Sequence, residues 1–210
     1  MPFCVAPFVA VRFHTDMYGP CCMYEGTGRS VQETTRTAKF TSLEEYLASK
    51  ELADIRKAYL EGDEFLPGCH TCKRMEDQGQ NSYRQSLNQK YKNNELGKIV
   101  FYDTFPGNVC NLKCFMCQPT SSSRLGAEHK KLGWVQDIKT LDMSDRTLSD
   151  MAKMPELKSL SLIGGEFFLA KHNRDILQAC LDRNLDVRVV TNATIINDRL
   201  LDYLKKIKNL

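Results

Sequence analysis

A strong excess of charge of either sign is missing from this sequence: 29 Lys and Arg stand against 26 Asp and Glu, for a net charge of +3. There is no dense basic block with interleaved aromatics, so charge suggests neither nucleic acid nor an anionic membrane as a partner. The apolar N-terminal run, Met1 to Val11, lacks a basic n-region and a clear small-residue cleavage site. It is also too short and too broken by proline to span a bilayer. With no export signal, a cytoplasmic location is expected. Histidine is scarce, and His14, His70, His129 and His172 have no partners at ligand spacing, although His70 lies between two cysteines. A disordered composition is absent too: 42% of residues are hydrophobic, and 210 residues can hold one medium domain or two small ones.

Cysteine, by contrast, is plentiful. Nine occur, an odd number, and clustered cysteines in a reduced compartment point to metal binding rather than to disulfides. Three of them fall in eight residues, Cys110-Asn111-Leu112-Lys113-Cys114-Phe115-Met116-Cys117, with spacing C-x3-C-x2-C. A strand-like run from Ile99 to Tyr102 and a Pro106-Gly107-Asn108 turn precede this stretch, and a loop-like Gln118 to Ser123 follows it. Thiolates are soft ligands that select zinc, copper(I) or iron–sulfur clusters. Three on a cubane of four irons would leave one iron open to a substrate or cofactor. Two alternatives stand beside this reading: the same positions are i, i+4, i+7, one face of a helix, and zinc could be held with a distant fourth ligand.

The C-x3-C-x2-C stretch after a first strand, with Ile163-Gly164-Gly165-Glu166 after the second, resembles the radical S-adenosylmethionine (radical SAM) enzymes. The resemblance implies that Cys110, Cys114 and Cys117 hold a [4Fe–4S] cluster whose open iron chelates S-adenosylmethionine. One electron then cleaves that cofactor to methionine and a 5′-deoxyadenosyl radical, which abstracts hydrogen from a substrate. Gly164, Gly165 and Glu166 would bind the methionine amino group, and Asn192, at the end of a third strand, could contact the cofactor. Met116 stands where the family usually has an aromatic residue, and Phe167 where it usually has proline.

Upstream, Val9 to Phe13 has strand-forming residues, and Tyr18-Gly19-Pro20 turns the chain into Cys21-Cys22, as in a short hairpin. Thr27 to Ser30 reads as loop. A helix from about Leu43 to Leu60 is expected, capped by Ser42 with Glu45 three residues on and ended near Gly62. Cys69-His70-Thr71-Cys72 is a half-site for zinc or iron–sulfur ligation, and with Cys4 and the Cys21-Cys22 pair it makes a full set of four thiolates. This arrangement resembles the twitch domain, the shortened form of SPASM, which binds one auxiliary [4Fe–4S] cluster. By that resemblance the ligands are Cys4, one of Cys21 or Cys22, Cys69 and Cys72. Twitch domains more often follow the radical SAM barrel, whereas this one precedes it.

Residues 1–80 are therefore expected to form a small Cys-rich α+β domain, 81–97 a polar connecting helix, and 98–210 an α/β half-barrel. Within 81–97, Arg84 could reach a phosphate or carboxylate. In 98–210 Ser144 is expected to cap a helix that runs through Met154 and stops at Pro155, a strand runs from Leu157 to Ile163, and helix 174–184 buries Cys180. A strand from Asp186 to Thr191 and a helix from Asn197 to Asn209 follow. Strands alternating with helices imply a parallel sheet with ligands at the strands' C-terminal ends, where Cys110–Cys117, Gly164–Glu166 and Asn192 fall. About three βα units are present where the family typically has six, so a missing C-terminal half is expected as a partner. An electron donor such as flavodoxin or ferredoxin is expected as well, together with a peptide, nucleotide or small-metabolite substrate. The competing function is a non-catalytic metal module, either an iron–sulfur electron carrier or a zinc-stabilised interaction domain.

Overall fold

A computed structural model describes residues 3–14, 17–24, 40–62, 64–136 and 138–207. The loop expected at Thr27 to Ser30 and the last residues of the C-terminal helix expected to Asn209 lie outside the described residues. The chain divides into two compact units, Met1–Asp103 and Thr104–Leu210.

The first unit opens with a one-turn helix, α1 (Ala6–Val9), followed by an antiparallel hairpin of β1 (Ala10–His14) and β2 (Met17–Gly19) in which Phe13 faces Tyr18. The expected long helix is two helices, α2 (Leu43–Leu47) and α3 (Lys50–Glu61). Ser49 is the reason: its hydroxyl accepts from Leu52 N–H at 3.2 Å to cap α3 and donates to the Tyr46 carbonyl at 2.7 Å, closing one helix while starting the next. Ser42 caps α2 through Glu45 N–H. A 3-10 turn at Pro67–Cys69 leads into α4 (His70–Asp77), then α5 (Tyr83–Tyr91) with a capping box of Ser82 and Gln85. β3 (Phe101–Thr104) is reached through backbone bonds from Gly97 to Phe8 and Val100 to Val9.

The residues expected to form a solvated connector thus supply α5, whose Leu87 and Tyr91 are buried with Phe8, Val9, Ile55, Tyr59 and Val100 in one core. Burying such side chains is worth about 2 kcal/mol each, which fixes α5 to this unit. A second group of rings, Phe13, Tyr18, Phe40 and Tyr46, packs at centroid distances of 4.9 to 5.6 Å.

In the second unit, α6 (Ser123–Lys131) and α7 (Ser144–Ala152) lead to β4 (Ser159–Leu162), and α8 (Asn173–Asp182) to β5 (Asp186–Val189), with α9 (Asp198–Leu204) last. β4 and β5 are parallel, with Ser159 opposite Asp186 and Leu162 opposite Val189, while Thr104 at the end of β3 accepts from Ile163 N–H at 3.1 Å. The strand order within the first unit is β2-β1-β3, and within the second β4 lies beside β5; the boundary between the units falls at the last residue of β3. All four residues of β4 are buried, as a central strand of a parallel sheet requires. Ile176, Leu177 and Cys180 of α8 are fully buried, so Cys180 is a core residue. Ser144 is the first residue of α7 rather than its cap; Met143 holds the cap position without a side-chain bond, and Asp142 just before it accepts from Ser144 N–H and hydroxyl at 3.1 and 2.6 Å. No helix among the described residues is long and apolar enough to cross a membrane.

Candidate metal centres

Residues 110–117 are not helical: only bends and a turn occur, with Cys117 N–H bonded to the Cys114 carbonyl at 3.0 Å. The helix-face alternative for the three cysteines therefore falls. Cys114 is exposed and Cys110 and Cys117 are partly so, while Phe115 and Met116 stand almost wholly in solvent. Burial pushes the Cys117 thiol up.

The base of this loop is built by residues whose role the sequence did not single out. Asn108 is completely buried; its amide donates to the carbonyls of Thr120 and Lys139 at 3.1 and 3.0 Å and its oxygen accepts from Leu141 N–H at 2.8 Å. Ser123 Oγ accepts from Cys110 N–H at 3.1 Å, and Ser122 both caps α6 and donates to the Leu112 carbonyl at 2.8 Å. Lys113 pairs with Glu128, which holds that carboxyl below its ordinary range.

The Gly164-Gly165-Glu166 turn runs against the same loop, with Gly165 N–H on the Gly107 carbonyl at 2.9 Å and Glu166 N–H on that of Val109 at 2.7 Å. A Cβ on Gly165 would lie 2.3 Å from the Val109 oxygen, so only glycine permits this approach. Glu166 is 1% exposed, and its carboxylate is fully engaged by the chain itself. It accepts from Thr191 Oγ1 at 2.8 and 3.0 Å, from Asn192 N–H at 2.7 Å and from Phe168 N–H at 3.2 Å. Asn192 Nδ2 in turn donates to Asn111 Oδ1 at 3.0 Å, and Asn111 Nδ2 donates to Thr194 Oγ1 at 2.7 Å. The cysteine loop, the Gly-Gly-Glu turn and Asn192 are thus one hydrogen-bonded assembly just beyond the C-terminal ends of β3, β4 and β5.

In the first unit, Cys4, Cys21, Cys69 and Cys72 line a single cavity together with Met23, Tyr59, Tyr83, Arg84 and Leu87. Cys69 is the N-cap of α4 and Cys72 lies in its first turn, so the C-x2-C pair is set by one helix start. Cys4 is placed by α5: Asn88 accepts from Val5 N–H at 2.8 Å and donates to the Phe3 carbonyl at 2.7 Å, and Arg84 Nη1 donates to that carbonyl at 2.6 Å. Cys22 is not among the residues that line this cavity; its thiol has the Tyr83 hydroxyl and the Arg12–Asp103 ion pair as neighbours. The structure therefore separates the two adjacent cysteines and brings Cys21 to the other three. Burial pushes the Cys4 thiol up to about 12 and the Cys21 and Cys69 thiols upward, so without a positive centre these groups are neutral thiols. Tyr59 donates its hydroxyl to Cys69 Sγ at 2.8 Å. His70 is exposed, its ring nitrogen 3.4 Å from the Pro67 carbonyl.

Among the described residues, no three His, Cys, Asp or Glu side chains stand close enough to hold one metal ion. Four thiols on one cavity are the donor set of either a closed iron–sulfur cluster or a tetrahedral zinc. Zinc draws tetrahedral thiolates in to about 2.3 Å.

Three thiols on an open loop and a glycine turn beside them thus gather at the strands' C-terminal ends, the edge at which parallel α/β proteins as a class carry their ligands. The sequence model of the Radical SAM superfamily matches residues 104–210, half of the chain and the whole of the second unit, and the chain belongs to that superfamily. No curated protein and no solved structure matches it.

Proposed function

We propose that this chain uses Cys110, Cys114 and Cys117 to hold a [4Fe–4S] cluster and the adjoining strand ends to bind S-adenosylmethionine. When bound, the pair supplies a 5′-deoxyadenosyl radical for hydrogen abstraction. The observation that carries the reading is the hydrogen-bonded assembly of the exposed cysteine loop with Gly164–Glu166 and Asn192. Three soft thiolates on one loop suit a cluster with one open corner.

The chain's own residues have separable tasks in this reading. Asn108, Ser122 and Ser123 fix the loop that presents the thiolates. Glu166 ties the glycine turn to Thr191 and Asn192, so that the backbone of the turn and the Asn192 side chain are left to meet the cofactor. Carbonyls are the acceptors that an ammonium group needs. Phe115 and Met116, at the loop tip, offer apolar surface to a planar base.

Cys4, Cys21, Cys69 and Cys72 form, in the same proposal, a closed site for an auxiliary [4Fe–4S] cluster, as in a twitch or SPASM-like domain. A one-electron donor such as flavodoxin or ferredoxin, and a peptide, nucleotide or small-metabolite substrate, complete the reaction. The test is anaerobic reconstitution with iron and sulfide counting and EPR of the reduced protein, with and without S-adenosylmethionine. About eight irons per chain and a signal altered by the cofactor are expected. Zinc in place of iron, or about four irons with no response to the cofactor, would leave a non-catalytic metal module instead.

A further inference from the structure

The cavity of Cys4, Cys21, Cys69 and Cys72 contains two groups that no ligand set requires. Tyr59 donates its hydroxyl to Cys69 Sγ at 2.8 Å, and its ring is buried in the core of the first unit. Arg84 lines the same cavity with its side chain 12% exposed. The guanidinium is held on three sides: Nε and Nη2 donate to Glu76 at 2.9 and 2.5 Å, and Nη1 donates to the Phe3 carbonyl at 2.6 Å. A cation so fixed, facing a wall of sulfurs from a buried position, is placed for more than an ion pair on the surface.

We infer that Tyr59 and Arg84 are positioning residues that set the reduction potential of the cluster held by Cys4, Cys21, Cys69 and Cys72, with Cys22 outside the ligand set. The inference rests on the auxiliary-cluster reading above and deepens it. Four thiolates give the group a net negative charge, and accepting one electron adds another. A hydroxyl hydrogen bond to a ligand sulfur and a fixed positive charge both stabilise the more negative, reduced state more than the oxidised one. With every iron capped by a thiolate, the site has no open corner for a substrate. What remains to tune is the ease of taking up and passing on an electron, which makes this the relay of the chain rather than a second substrate site.

The experiment uses the full chain with Cys110, Cys114 and Cys117 all changed to alanine, so that one cluster remains, reconstituted anaerobically and titrated potentiometrically with dithionite under EPR. Tyr59→Phe removes one hydroxyl without changing shape. It is expected to keep the iron content and lower the midpoint, shifting the reduced-to-oxidised ratio at fixed poise by about tenfold, the size of one hydrogen bond to a charged acceptor. Arg84→Gln is expected to lower the midpoint further, and Arg84→Lys to recover most of that loss because charge, not shape, carries the effect. Cys22→Ser is expected to leave both iron and midpoint unchanged, whereas Cys21→Ser loses the cluster. A midpoint unmoved by Tyr59→Phe, with iron retained, overturns the inference while leaving the cluster reading intact. If Arg84→Gln fails to assemble the cluster, Tyr59→Phe still decides. A parent protein that binds zinc or nothing at this site overturns both readings together.

Discussion

The two sets of cysteines sit in opposite surroundings. Those of the first unit are wrapped by Tyr59, Leu87 and Arg84 at the edge of a packed core, and burial holds the Cys4, Cys21 and Cys69 thiols in the neutral form. Those of the second unit ride a loop whose tip, Phe115 and Met116, is in solvent and whose base alone is fixed, by Asn108 and Ser123. A buried ligand set is bound up with the stability of its domain, since its metal satisfies groups that the fold has already desolvated. An exposed set on an open loop can gain or lose its metal with little effect on the sheet below, and it leaves room for a second molecule.

The sharpest way to break this comparison is to remove one thiol from each set. Cys69→Ser should lower the thermal stability of the reconstituted protein by more than 10 °C and release about half of its iron, because several kcal/mol of metal-linked folding energy is lost. Cys114→Ser should release a similar share of iron and abolish the EPR response to S-adenosylmethionine while moving the melting temperature by less than about 2 °C. Equal thermal shifts, read by calorimetry on both variants, would erase the distinction. Next in size is Gly165→Ala. Its Cβ would meet the Val109 oxygen at 2.3 Å, so the turn must withdraw from the cysteine loop. Loss of cofactor response is expected at a cost to folding of about 2 kcal/mol, measured by denaturant unfolding.

Most of the second unit was legible in the sequence, because its signals are local. The alternation of β4, α8 and β5 follows from apolar periodicity, and the glycines of 164–165 announce a close backbone approach. What escaped notice were polar residues with inward tasks. Asn108 reads as a turn residue, and its three bonds to distant backbone are invisible in any local pattern. Arg84 and Asn88 made α5 look like a solvated connector because they are polar, yet both bond the backbone that carries Cys4. The choice between Cys21 and Cys22 was beyond spacing altogether, since only the folded chain shows that Cys21 and not Cys22 lines the cavity. Glu166 shows the same limit: the motif marks it as an acceptor, but only the structure shows that Thr191, Asn192 and Phe168 already occupy its carboxylate.

That occupancy yields a mid-sized prediction. Glu166→Gln keeps the shape but turns one acceptor into a donor facing Thr191 and Asn192, so an unfolding cost of about 2 kcal/mol is expected. Thr191→Val should act in the same direction and by less. If Glu166 instead serves only the cofactor, Glu166→Gln would weaken the response to S-adenosylmethionine and leave unfolding untouched. Thr191→Val would then be silent in both.

The smallest effect concerns acid and the first unit alone. Arg84 holds the Glu76 carboxyl below its ordinary value of 4.5, with Ser82 adding a further hydrogen bond. A carboxyl whose folded pKa is depressed contributes stability that is fully present above the unfolded value and is lost as pH falls through the folded one. The ion pair should therefore stabilise the protein at neutral pH and lose that contribution as the pH falls through the lowered folded value. Since both side chains retain some contact with water, the contribution is about 1 kcal/mol. Glu76→Gln should lower stability by that amount at pH 7 and converge with the parent protein in acid, once Glu76 is protonated in the folded state as well, in urea unfolding curves at matched ionic strength. Curves that stay parallel across that range would mean that Arg84 keeps its place through the Phe3 carbonyl and the cavity wall alone. The cation beside the buried thiols would then owe nothing to its carboxylate partner.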